Sequence, residues 1–130
     1  REVLGYTCQQ ATADFRGRHW TAWFATDIPV SDGPWKLGGL PGLILEAYDE
    51  GQQHVFTVVG LERVADEPII FNQKDGHNRR FEPTNRLDFL RMERRFLMDS
   101  NSFIQMETGI DLLGDEPNQV MRYDLLERDY

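Results

Sequence analysis

His19, Asp27 and Asp32 are the residues whose types could carry acid–base chemistry. Asp27 and Asp32 flank the Pro29 turn. Two carboxylates beside an aromatic-lined loop can split their pKa values and divide the acid and base roles. A hydrolase is the enzyme class that such a set suggests. Carboxylates of this kind are also ordinary turn formers. Ser31 lies between them but lacks the G-x-S-x-G elbow that exposes a serine nucleophile. No residue is assigned a catalytic role.

Metal and phosphate chemistry have less behind them. The three histidines, His19, His54 and His77, form no HxH or HxxxH pair, and no CxxC is present. Zinc spacing local in sequence is therefore absent. Only distant pairs such as His19 with Asp27, or Asp75 with His77, could contribute ligands, and no metal or cofactor is expected. Gly38-Gly39-Leu40-Pro41-Gly42 has the glycines of a phosphate cradle. It lacks the Lys-Ser/Thr of a Walker loop and does not open a helix. Leu43-Ile44-Leu45 after it starts a strand. The glycines are expected to permit a close backbone crossing, stiffened by Pro41. Cys8 is the single cysteine, so no disulfide can close within the chain, and no base or cation near it in sequence would activate the thiol.

Binding chemistry is the remaining lead. Trp20, Trp23, Phe24, Trp35, Tyr48 and Phe56 form an aromatic set, and tryptophan is frequent both in cores and at binding sites. Trp20, Trp23 and Phe24 suit a core. Trp35 sits in a loop beside Gly33 and Pro34 and suits a pocket rim or a partner surface. Trp35, Asp32, Trp23 and Lys36 are the candidate ligand- or partner-binding residues.

These side chains need a scaffold, and composition says which kind. At 130 residues the chain can bury a core of its own as a single domain. Aromatics at 12% favour a packed, sheet-rich core. The net charge of −8 would repel nucleic acid at long range, so no nucleic-acid partner is expected. Arg79, Arg80, Arg86, Arg91, Arg94 and Arg95 concentrate in one stretch, which fits a solvated helix face. No apolar run approaches the roughly 20 residues that span a bilayer as a helix.

Strand-like residue types at 3–11 predict a strand, with Gly5 and Cys8 as small breaks. Asp14 and Gly17 predict a bend. Residues 19–26 predict a strand with Trp20, Ala22 and Phe24 on one face and Thr21, Trp23 and Ala25 on the other. Large aromatics on both faces make it a central strand. Residues 30–42 form a loop whose Trp35 and Leu37 should fold it back onto the body. Residues 43–48 and 53–64 predict a hairpin turning at 49–52, with Gly51 placed for positive φ. A short strand is expected from Ile69, and another segment of strand or ordered chain at 118–123. Thr84 is the expected N-cap of one helix near 84–98, with an apolar stripe of Leu87, Leu90, Phe96 and Leu97. The class is α+β: a mainly antiparallel sheet, curved and open or half-barrel-like, with one helix in the C-terminal half.

The hexapeptide Gly39-Leu40-Pro41-Gly42-Leu43-Ile44, with several flanking pieces, resembles the GLPGLI family. The flanks are Gly5-Tyr6-Thr7-Cys8-Gln9, Phe15-Arg16-Gly17-Arg18, Thr21-Ala22-Trp23-Phe24 and Ile28-Pro29-Val30-Ser31-Asp32-Gly33-Pro34-Trp35-Lys36. The helix with Phe89-Leu90 and the following Asp99 is similar to that family's C-terminal part. The resemblance implies an exported protein of Gram-negative bacteria, in the periplasm or at the cell surface, with no assigned function. It also implies that this chain is the C-terminal part of a longer protein, whose earlier strands would extend the sheet. The expected function is a non-enzymatic module of the envelope that holds an apolar ligand or a protein partner. Two alternatives stand beside it: a hydrolase using Asp27, Asp32 or His19, and a structural module completing a larger sheet. An unpaired sheet edge would also invite self-association.

Overall fold

A computed structural model of the protein describes residues 1–65, 68–69, 81–114 and 124–129. The expected strand from Ile69, the Asp75–His77 pair, Arg79, Arg80 and the 118–123 segment lie at least partly outside the described residues. The chain divides into two compact units, Arg1–Glu67 and Pro68–Arg128. Among the described residues the architecture is α+β, with one two-stranded and one four-stranded antiparallel sheet and two helices. The larger sheet is open. Among the described residues no helix is long and apolar enough to cross a membrane.

The first unit is built from hairpins. Strands β1 (Glu2–Val3) and β2 (Tyr6–Thr7) pair across Leu4 and Gly5. The four-stranded sheet has the order β3-β4-β5-β6, from β3 (Gln9–Phe15), β4 (Arg18–Ala25), β5 (Leu43–Asp49) and β6 (Val55–Thr57). Strands β3 and β4 meet across Arg16 and Gly17, at φ 54° and 76°. Two central residues with positive φ make a tight turn whose twist matches the strands, and Gly17 adopts it without the Cβ penalty. The predicted bend at Gly17 is this turn.

Strand β4 is central, as its alternation predicts. Ala22 and Phe24 pack with Ile44 and Ala47 on one face. Ala25 packs with Val3, Cys8 and Leu45 on the other, where the β1–β2 segment covers the sheet. The β4–β5 register shifts beside Trp23 and Phe24, so Ile44 and Ala47 share a face although three positions apart. A β-bulge does this by placing two residues opposite one.

Residues 26–42 join β4 to β5. Leu37 and Leu40 pack onto the Ala22–Phe24 face, so the loop folds back as its apolar residues predict. The Leu43 N–H donates to the Ile28 carbonyl at 3.0 Å, and the Ile44 N–H to the Asp32 carbonyl at 3.0 Å. At the end of the loop a Cβ on Gly42 would stand 2.2 Å from the Ala25 carbonyl oxygen. Two backbones touch there, and only glycine fits.

The β5–β6 hairpin is present but differs in detail. Its positive φ falls on Gln52, at 50°, and not on Gly51. The returning strand is short, Val55–Thr57 where residues 53–64 were expected; beyond it Val59 is 91% exposed and Leu61 is exposed as well. Val58 still donates to the Leu45 carbonyl at 2.8 Å.

Among its described residues the second unit holds two helices where one was expected. Helix α1 (Arg86–Met98) is capped by Asn85, one residue after the expected Thr84; its side chain accepts from the Asp88 N–H at 2.9 Å. Leu90 is buried, whereas Leu87, Phe89, Met92, Phe96 and Met98 stay partly exposed. Asp99 closes α1 by donating its N–H to the Arg95 carbonyl. The same residue opens α2 (Ser100–Thr108) by accepting from the Ser102 N–H at 3.1 Å. The stop signal at Asp99 is therefore also a start signal. Phe96 and Phe103 meet edge to face at 5.5 Å across this corner.

Gly42→Ala is expected to cost about 3 kcal/mol or more, as overpacking against fixed backbone does. Gly38→Ala, whose Cβ meets nothing nearer than 3.9 Å, is expected to stay within about 0.5 kcal/mol of the parent. Urea unfolding of the two variants checks the pair.

Candidate functional site

Trp35 is the centre of the aromatic cluster on one face of the sheet. Its ring lies 5.7 Å from Trp20 and 5.8 Å from Phe15, the latter edge to face. Trp20 in turn stacks on Phe56 at 6.1 Å and donates its indole N–H to the Phe15 carbonyl. Lys36 places its ammonium 5.6 Å from the Trp35 ring, within cation–π range. Trp35 is half-buried and has φ 55°. A bulky side chain in left-handed backbone costs of order 1–3 kcal/mol, and surrounding contacts must hold it there. The rings of Trp20 and Phe15 do so.

The other candidate binding residues do not all join it. Asp32 is exposed, and its Oδ1 accepts from the adjacent Gly33 N–H at 2.8 Å. Asp32 therefore shapes the approach to Trp35. Trp23 is on the opposite face, where the Arg1 guanidinium stands 5.1 Å from its ring. Alternation along β4 puts Trp20 and Trp23 on opposite faces, so Trp23 and Trp35 form separate surfaces. Arg1 also pairs with Glu46 on that side.

His19 stands apart from Asp27. His19 and Asp27 lie at opposite ends of β4, an eight-residue strand about 26 Å long. His19 bonds instead to Asp14, Nδ1 to Oδ1 at 2.7 Å, across the β3–β4 pair. This pair borders an open depression of about 350 Å³ lined by Asp14, Phe15, Arg16, Gly17, Arg18 and His19. An imidazole oriented by a carboxylate supplies two of the three members of a nucleophilic triad. No hydroxyl or thiol is among the lining residues. No cluster of three or more His, Cys, Asp or Glu suits a metal among the described residues. Cys8 is buried, with its Sγ 3.5 Å from the Tyr6 carbonyl.

Sequence reasoning missed a buried ion pair. Arg18 and Asp49 form an ion pair at 2.6 Å with side chains only 1% and 4% exposed. Arg18 also donates to Gln53 Oε1 at 3.3 Å, and Asp49 Oδ1 accepts from the His54 N–H at 3.0 Å. Burial raises the Asp49 pKa. The His54 and Gln53 N–H groups and the Arg18 guanidinium outweigh it and hold the carboxyl below its ordinary value. The pair pins the start of β4 to the end of β5, directly beside Trp20, which faces Asp49 in the register. Thirty-one positions separate the partners, so no local spacing announces them.

The chain matches the model of a protein family described as Protein of unknown function (Porph_ging) over residues 15–46. That span runs from Phe15 through β4 and the 26–42 loop into β5, and it contains Trp20, Trp35 and Gly42. No curated protein and no solved structure matches the chain.

Arg18→Met is expected to cost about 3–5 kcal/mol at pH 7, because it strands a buried carboxylate. The sign with pH follows from the depressed Asp49 pKa. Its contribution is present above the unfolded value of 3.8 and is lost as pH falls through the folded value. The penalty of Arg18→Met should therefore shrink below about pH 4, where Asp49 can protonate. Denaturant titrations of parent and variant at several pH values read this directly.

Proposed function

We propose that this chain is a non-enzymatic binding module of the bacterial cell envelope, of the GLPGLI type, in the periplasm or at the cell surface. Trp35 carries the reading. It is a large ring held at a strained backbone angle, packed on Trp20 and Phe15 on one side and half open on the other. Lys36 beside it and Asp32 before it supply polar groups at the rim. An anchor of this kind suits an apolar side chain or ligand group that slides against the indole, with its polar end near Lys36. The dispersal of His19 and Asp27 along β4 favours binding over hydrolysis by that set. The resemblance through Gly39–Ile44 supports the envelope location. An open sheet edge offers a further contact, with a second copy of the chain.

Trp35→Ala is expected to abolish capture of a ligand or partner from envelope extract. Lys36→Ala should weaken capture by about tenfold, the scale of one cation–π or rim contact. Circular dichroism and thermal unfolding keep loss of fold separate from loss of binding. Unchanged capture by a folded Trp35→Ala variant would remove the site from this loop.

A further inference from the structure

We propose that β3 pairs with the β3 of a second copy, antiparallel about a twofold axis at Thr12, joining two four-stranded sheets into one of eight. This deepens the edge contact proposed above and names its edge and register. Strand β3 is the long edge of the sheet. Its seven residues pair with β4 on one side, and among the described residues no strand lies on the other. The opposite edge, β6, has only three residues.

Edges that must stay single carry charged residues, above all lysine, or proline or a bulge, or are covered. Gln9-Gln10-Ala11-Thr12-Ala13-Asp14-Phe15 has no lysine or proline and one charge, Asp14, and its register with β4 is unbroken. A twofold at Thr12 is the antiparallel register that uses all seven residues. It sets Thr12 against Thr12, Ala11 against Ala13, Gln10 against Asp14, and Gln9 against Phe15 of the second copy. Facing threonines are a favourable cross-strand pair, and Gln10 can donate its amide to the Asp14 carboxylate. The small alanines let the backbones approach. The register also keeps like faces together. Gln9, Ala11, Ala13 and Phe15 share the face of Trp20, since Ala11 pairs with Ala22 and Ala13 with Trp20. Both Trp35 clusters then open on the same side of the joined sheet.

One strand pair buries much less than the roughly 1,600 Å² of a stable interface, so the dimer is weak and concentration-dependent. Each copy carries −8, and screening that repulsion should tighten the dimer at higher salt.

Sedimentation equilibrium of the full chain, from about 10 µM to 1 mM, is expected to show a monomer–dimer equilibrium that strengthens with salt. Thr12→Lys places two ammonium groups face to face and should weaken it by about tenfold or more. Spin labels on Thr12→Cys, in a Cys8→Ala background, should couple between copies more strongly than labels on Gln10→Cys or Asp14→Cys. Monomer at every concentration would overturn the proposal. So would a dimer in which Thr12 labels are no closer than the others, a result that needs no folded Thr12→Lys variant. Trp35→Ala should leave the equilibrium unchanged, so this contact and the Trp35 site stand or fall separately.

Discussion

The structure of the first unit depends on one close approach, the passage of Gly42 against the Ala25 carbonyl. A side chain there would lie 2.2 Å from that oxygen. Because the backbones touch, the 26–42 loop must return across the sheet and cannot swing away from it. Leu37 and Leu40 then land on Phe24 and Ile44, and Trp35 lands on Trp20 and Phe15. The strained φ of Trp35 is held by these contacts, and no local preference would keep it. Sequence, backbone geometry and packing thus meet at the loop that carries the proposed site.

The buried Arg18–Asp49 pair plays a different part. Such pairs are weak evidence for stability, since removing two charges from water offsets most of their attraction. Here Gln53 and the His54 N–H add a hydrogen bond to each partner. What the pair adds is register. Arg18 begins β4, Asp49 ends β5, and a one-residue slip would separate them and leave both charges buried alone. The same slip would carry Trp20 away from Trp35. A polar contact under an aromatic cluster therefore fixes which face of β4 the loop covers.

Much of this was legible from residue types and some was not. The two faces of β4 follow from alternation, and the returning loop follows from apolar residues among glycines. Gly42 follows in kind, since a loop running into a strand after two glycines implies a tight crossing. The β1–β2 turn at Leu4–Gly5 was hidden because leucine is not a turn former. Gln52 took the left-handed position beside Gly51 because the hairpin geometry, and not the residue, decides where that angle falls. The second helix was hidden because Asp99 both ends α1 and caps α2. Of the candidate binding residues, Trp35, Lys36 and Asp32 lie together in the loop as their sequence neighbourhood implies, whereas Trp23 lies on the other face. Arg18 and Asp49 could not be paired, because contact across a sheet leaves no periodic trace in one sequence.

The central claim is that the Gly42 crossing sets Trp35 on Trp20 and Phe15. Nuclear Overhauser contacts among these three rings, in the parent and in Gly42→Ala at low temperature, test it most directly. The account predicts cross-peaks from the Trp35 indole to both Phe15 and Trp20 in the parent. In the variant they should be lost or strongly weakened, while Trp20–Phe56 contacts remain. Trp35 cross-peaks unchanged by the substitution, or absent from the parent, would contradict it.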